Sequence, residues 1–295
     1  MIAVKTLAAI DIGSNAIRLL IDNAITQAGN PKFNKVLLLR LPIRLGTGVF
    51  GAQRISPPDV RRMVKAMQAF QLVMELHGVA DYRAFATSAM RTAANGESVA
   101  KRLRRQTGVD IKIIDGKKEA AILFKTGLAE YIHPSAAYLF IDVGGGSTEL
   151  TLLSKNRAVA SRSFNIGTVR FLNGQVTGEM WREMRLWVRE WTGGCKDITA
   201  VGSGGNINEI FKMSGRKIGQ PLNYHYVCEQ YKKLKNMTYE QRVADLGLNL
   251  DRADVIVPAL RIYCNAMRWL GAKHIYVPKV GLADGMIRSL YFNEI

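Results

Sequence analysis

The chain has 295 residues, 48% hydrophobic and 22% charged, which bounds it to a globular protein of about two domains and excludes disordered and fibrous classes. No apolar run approaches the ~20 residues of a membrane span, the start does not read as a signal peptide, and Cys195, Cys228 and Cys264, spaced 33 and 36 residues apart, argue against zinc ribbons and disulfide scaffolds. Forty-one Lys and Arg against 24 Asp and Glu give +17, with +10 up to residue 130 and +7 beyond, a spread field that concentrates anions rather than a basic tail. Three buried thiols in a reducing cytoplasm are expected.

Residues 7–12, 16–22 and 36–41 read as apolar strands broken by turn residues. Ser56 then opens a helix: its hydroxyl suits the N-cap, Pro57 the first position, and Asp59 the positive helix end. Val60, Val64, Met67, Phe70 and Met74 follow at helical spacing, and Gly78 can end the helix. A strand over 82–87 precedes a basic helix from Asn95 to Gln106, which Gly108 stops. A strand over 109–114 and a helix after Gly116 complete the first half. The pattern then restarts, with strands at 136–143, 147–153 and 158–164, a helix over 179–192 and a strand over 198–201. Mostly helices follow, with a strand at 274–277 and a last helix from about Asp284. The boundary is expected near residues 130–135, where His133-Pro134 breaks the helix, giving units 1–130 and 131–295.

Two segments match at a separation of 131 residues. One reads Ala9-Ile10-Asp11-Ile12-Gly13-Ser14-Asn15-Ala16-Ile17-Arg18-Leu19; the other reads Phe140-Ile141-Asp142-Val143-Gly144-Gly145-Gly146-Ser147-Thr148-Glu149-Leu150. Each is an apolar strand ending in Asp-[Ile/Val]-Gly, a turn of small residues, and a second strand carrying one charge. A match at this spacing points to a duplicated domain. Glycine lets backbone N–H groups approach an anion, and successive N–H groups in a turn make a phosphate cradle. Ser14, Asn15, Ser147 and Thr148 add side-chain donors, and an Asp at the strand end can hold a metal or order a water.

The repeat resembles the two phosphate hairpins of the actin-like ATPase, Hsp70 and sugar kinase superfamily. Within it, residues 8–21 resemble the exopolyphosphatase and guanosine pentaphosphate phosphohydrolase family. Ala86-Thr87-Ser88-Ala89-Met90-Arg91, residues 116–120, 142–149 and 201–206 agree in order and spacing, with weaker similarity through Arg252-Ala253-Asp254 to Gly281-Leu282. The resemblance implies an α/β protein of two related ribonuclease H-like domains with a cleft between them, the last helix packing back on the first. It is similar to the short, two-domain members, and a homodimer is implied by the resemblance alone.

Arg18, on the strand after the first turn, can hold a phosphate with two parallel hydrogen bonds. Thr87, Ser88 and Arg91, where a strand gives way to a turn or helix start, suit an oxyanion clamp. By resemblance, Glu119 is the general base for in-line attack of water on a terminal phosphoryl group. Family members commonly carry an acid just before it; here stands Lys118, and a cation nearby favours an ionised carboxylate. Asp142 and Glu149 match the family's Mg²⁺-associated acids, with Asp11 a further candidate for metal or water. Gly13, Ser14 and Asn15 form the first phosphate turn; Gly144, Gly145, Gly146, Ser147 and Thr148 form the second. Gly202, Ser203, Gly204 and Gly205 resemble the superfamily's adenosine-side turn, for a nucleotide or a remote part of a polymer. The four histidines are scattered and make no metal cluster.

The leading expectation is a phosphohydrolase that takes the terminal phosphate from inorganic polyphosphate, from guanosine pentaphosphate, or from both. A kinase or ATPase of the same superfamily shares the hairpins, but Arg18, the 87–91 segment and Glu119 match the phosphatase branch. A non-catalytic sensor of guanosine tetra- or pentaphosphate would use the same cradles. A nucleic-acid binder explains the charge but not the repeat, and no recognition motif for one is present.

Overall fold

The computed structural model describes residues 2–27, 30–126, 137–154, 157–193 and 198–294. The chain divides into two compact units, one holding the described residues up to Thr126 and those from Gly281 onward, the other the described residues of 127–280. The expected boundary at 130–135 lies outside the described residues.

The first unit contains β1 (Ala3–Ile12), β2 (Ile17–Gln27), β3 (Asn30–Leu41), α1 (Leu45–Ala52), α2 (Pro57–Leu76), β4 (Asp81–Ala86), α3 (Ser88–Thr92), α4 (Gly96–Thr107), β5 (Ile111–Ile113) and α5 (Gly116–Phe124). The second contains β6 (Ala137–Val143), β7 (Thr148–Ser154), β8 (Arg157–Phe164), α6 (Thr168–Leu172), α7 (Gly178–Thr192), β9 (Thr199–Ser203), α8 (Gly205–Met213), β10 (Leu222–Asn223), α9 (Tyr224–Asn236), α10 (Tyr239–Ala244), α11 (Leu250–Ala253), α12 (Ile256–Leu270) and β11 (His274–Tyr276). Helix α13 (Leu282–Tyr291) belongs to the first unit, where it packs on β1, β2, β4 and α5.

The sheets repeat one plan. In the first the order is β3-β2-β1-β4-β5; in the second it is β10-β11-β9-β6-β7-β8. Each begins with an antiparallel three-strand meander whose first strand then pairs in parallel with a later strand, β1 with β4 and β6 with β9. The innermost strands are apolar on both faces at their C-terminal ends, as strands covered on both sides must be: residues 7–12 of β1 are all buried. Strand β8, at a sheet edge, is exposed along most of its length and carries Arg157 and Arg162, charges that discourage edge-to-edge pairing.

Helix α2 forms as its signals dictate, with the Ser56 hydroxyl accepting from the Asp59 amide and Pro57 in the first turn. Its buried stripe is Val60, Met63, Met67, Phe70 and Met74, so Met63 takes the place expected of Val64. Asn95 precedes α4 without capping it. Its side-chain amide instead bonds the Ile55 amide and carbonyl, fastening the start of α4 to the loop before α2. Two short helices, α1 and α6, stand where no helix was expected, and both lie behind the hairpin turns. Among the described residues no helix is long and apolar enough to cross a membrane.

The cysteines differ from expectation. Cys264 is buried but Cys228 is only half-buried, and the fold sets the two side by side; Cys195 lies outside the described residues.

Candidate active site

In the first unit β1 and β2 form a hairpin in which Asp11 faces Arg18. Arg18 Nη1 donates to Asp11 Oδ2 at 2.9 Å. Burial raises the Asp11 carboxyl above its ordinary range, and the adjacent guanidinium partly counters this. Asp11, expected as a further metal ligand, is therefore engaged by Arg18 within its own unit. The turn between the strands is backed by the entry to α1: Gly46 N–H donates to the Ser14 carbonyl (2.8 Å) and Arg44 N–H to the Asn15 carbonyl (3.0 Å). In a planar trans peptide the next N–H points opposite to the carbonyl. The amides of Asn15 and Ala16 therefore face away from α1.

The second unit builds the same hairpin from β6 and β7, with Asp142 facing Glu149 in the register that pairs Asp11 with Arg18. The start of α6 takes the turn's carbonyls. Thr168 N–H bonds Gly144 (3.0 Å), the Val169 and Arg170 amides bond Gly145 (2.8 and 3.1 Å), and Arg170 Nε bonds Gly146 (3.0 Å). By the same geometry the amides of Gly145, Gly146 and Ser147 point to the opposite side, three successive donors suited to anionic oxygens. Carboxylate oxygens of Asp142 and Glu149 lie within 4.8 Å of each other. Glu149 is buried, and Ser163 on β8 donates its hydroxyl to Oε1 at 2.7 Å. Two facing carboxylates, one fixed by a hydroxyl, fit a hard divalent cation that completes its shell with waters or phosphate oxygens. Thr148 does not supply the donor expected of it, because its hydroxyl donates to the Ile166 carbonyl inside the unit.

Both backing loops approach so closely that a Cβ would not fit. A methyl on Gly167 would lie 2.4–2.5 Å from backbone atoms of Gly145, Gly146 and Ser147; one on Gly46 would meet the Phe50 ring at 2.7 Å and Ser14 Cβ at 3.1 Å. Sequence reasoning missed Arg44, Gly46, Gly167 and Arg170, although Leu45-Gly46-Thr47 and Ile166-Gly167-Thr168, each just beyond its third strand, carry a second internal match.

Thr87 and Ser88 are buried at the end of β4, and the Thr87 amide donates to the Ile12 carbonyl at the mouth of the first hairpin (3.1 Å). Arg91, expected in an oxyanion clamp, donates from Nη1 to the Ile114 carbonyl (2.6 Å) and lies 3.7 Å from Glu119 Oε2. Glu119 itself is buried in the first turn of α5, whose N-cap Asp115 accepts from the Lys118 amide. Lys118, the departure from the family pattern, places its ammonium over the Phe85 ring at 5.3 Å, so the described cation beside Glu119 is Arg91.

The Gly202–Gly205 turn sits beside the second hairpin. Ser203 pairs with Asp142 across β9 and β6, its hydroxyl donates to the Val280 carbonyl, and the Tyr263 hydroxyl donates to its own carbonyl. Gly204, at φ +117°, holds a conformation that L side chains rarely adopt, and a Cβ there would lie 2.9 Å from the Val143 carbonyl and 3.6 Å from Asp142 Oδ1. Gly202 packs inward against Ile207 and Ile275. Gly204 of the expected nucleotide-side turn therefore adjoins Asp142, while the side chain of Ser203 is committed to the interior.

Comparison with known proteins agrees with this frame. Residues 24–294 match the Ppx/GppA phosphatase family. Exopolyphosphatase 2 of Mycobacterium tuberculosis is 31% identical over 98% of this chain and 99% of its own length. Exopolyphosphatase 1 of the same organism is 24% identical over 95% of this chain and 87% of its own. An exopolyphosphatase from Cytophaga hutchinsonii superposes with a TM-score of 0.84 at 21% identity, covering 98% of both chains. An Aquifex aeolicus Ppx/GppA family member superposes at 0.78 and 23% identity, covering 99% of both. The fold is the expected α/β arrangement of two actin-like ATPase domains, and the chain belongs to the Ppx/GppA phosphatase family.

Proposed function

We propose that this protein is an exopolyphosphatase, hydrolysing the terminal phosphoanhydride of inorganic polyphosphate to release orthophosphate, with guanosine pentaphosphate as a second substrate. The observation that carries this reading is the acidic pair Asp142–Glu149 beside three aligned amides, a combination suited to a phosphate chain with its cation. The names of the two mycobacterial relatives supply the polymer, and a surface field of +17 favours a long polyanion.

In this reading Arg18, steadied by Asp11, grips non-bridging oxygens, and the amides of both turns share the remaining charge. A divalent cation such as Mg²⁺, held by Asp142 and Glu149 when bound, would neutralise charge on the phosphates. Glu119 accepts the proton of the attacking water at its carboxylate, and Arg91 keeps that carboxylate in place. Thr87 holds the end of β4 against the first hairpin.

The test is phosphate release with Mg²⁺ from long-chain polyphosphate and from guanosine pentaphosphate, side by side, for wild type and Glu119→Gln. Release should fall roughly 10²–10⁴-fold without the base. If Glu119 and Glu149 serve one step, Glu119→Gln combined with Glu149→Gln should cost little more than the worse single change. Polyphosphate hydrolysis that survives Glu119→Gln removes the base assignment. Release from the nucleotide alone moves the substrate, and release from neither leaves a sensor.

A further inference from the structure

Away from the phosphate groups, the second unit brings together two thiols that are 36 residues apart in the chain. Cys228 lies on α9 and Cys264 on α12, helices that pack along one another, and their sulfurs are 2.7 Å apart. Cys264 is buried, whereas Cys228 is half-buried, so solvent reaches the pair through Cys228. The surroundings of the two sulfurs differ. When Cys228 is the thiolate, the Cys264 thiol and the Tyr224 hydroxyl donate to its sulfur, and Lys232 and Arg268 add cationic fields. These lower the Cys228 thiol to about 7, while its neighbour's sulfur and burial push Cys264 up. An accessible thiolate beside a protonated partner is the arrangement of an attacking and a resolving cysteine.

We propose that Cys228 and Cys264 form a reversible disulfide that clamps α9 to α12, with a peroxide as oxidant. The Cys228 thiolate attacks one peroxide oxygen, the O–O bond breaks, and hydroxide leaves, giving a sulfenic acid. Cys264 then attacks the Cys228 sulfur; the S–O bond breaks and water leaves as the S–S bond forms. Overall two thiols and one hydrogen peroxide give one disulfide and two waters. An external dithiol returns both thiols by exchange. The closed link ties together the two ends of a 36-residue stretch of chain and restrains the unfolded state.

The experiment treats the reduced full chain with hydrogen peroxide near stoichiometry, alkylates the remaining thiols, and maps peptides without reduction. A Cys228–Cys264 peptide two hydrogens lighter than its parts is expected, reversed by dithiothreitol. The unfolding midpoint of the oxidised protein should rise by about 5–10 °C. Cys195→Ser should keep both results and Cys228→Ser should lose both. Full alkylation of both thiols after peroxide, a sulfinic acid on Cys228 with Cys264 still alkylated, or a link through Cys195 would each overturn the proposal; all three are read on the wild-type chain and do not depend on a variant folding.

Discussion

The two hairpins share a backbone and differ in one charge. Asp11 and Asp142 stand at the same register position, and each faces the second residue of the next strand. In the first unit that residue is Arg18, in the second Glu149. Opposite charges close on each other, so Asp11 and Arg18 form a bonded pair that presents a guanidinium. Like charges need something between them, so Asp142 and Glu149 are stable as a pair when a cation or a proton is shared. On the proposed function, one repeated frame thus serves as an anion clamp in the first unit and a cation clamp in the second. The backing differs as well. The first turn is held by two amides, the second by three amides and the Arg170 side chain.

The largest effect should come from erasing that difference. Glu149→Gln should reduce turnover roughly 10²–10³-fold. Glu149→Arg, which copies the first hairpin's pair, should do no better, with the circular dichroism of both variants unchanged. Turnover near wild type in Glu149→Arg would break the comparison.

Next is the backing of the turns. Gly167→Ala forces a methyl onto three fixed backbone atoms, so a loss of about 3 kcal/mol in denaturant unfolding is expected. Gly46→Ala meets first a phenyl ring that can turn, and should cost about 1 kcal/mol. Equal losses would mean that the loops support their hairpins alike.

If Arg18 grips the phosphate as proposed, Arg18→Ala should raise KM roughly 10–100-fold, with a smaller change in kcat. Arg18→Lys should restore only part, since a point charge does not reproduce the fork.

The smallest effect lies further along β2. Asp22 occupies the position of Leu153 in β7, and burial together with Asp284 raises its carboxyl to about 6 against the opposing pull of Lys35 and Arg288. With the folded value above the unfolded one, the native state binds the extra proton between about pH 4 and 6. Stability from this group is therefore full below the unfolded value and is lost as pH rises through about 6. Asp22→Asn should raise stability by about 1–2 kcal/mol at pH 8 and flatten this fall. An unchanged pH profile in the variant would assign the slope to other groups.

The hairpins were legible because their chemistry is local. Asp, Gly and the facing charge sit within eight residues, and the repeat supplies the second copy. The long helix α2 and the strands announced themselves by caps and apolar period. What supports the site was not legible, because it arrives from a distance. Gly46 and Gly167 matter through atoms thirty and twenty residues away, in helices too short to show a period. Ser163 reaches Glu149 only because β7 and β8 pair in that register. Thr148 and Ser203 look like ligand donors in sequence, yet both hydroxyls meet interior carbonyls. Cys228 and Cys264 become neighbours only when α9 packs on α12.

The division of labour between the hairpins is tested most directly by Mn²⁺ binding, read by electron paramagnetic resonance on the substrate-free protein. Wild type and Arg18→Ala should bind the cation with like affinity, and Glu149→Gln and Asp142→Asn should lose it. Binding that survives both acid replacements, or that disappears with Arg18→Ala, would contradict the assignment of the cation to the second hairpin.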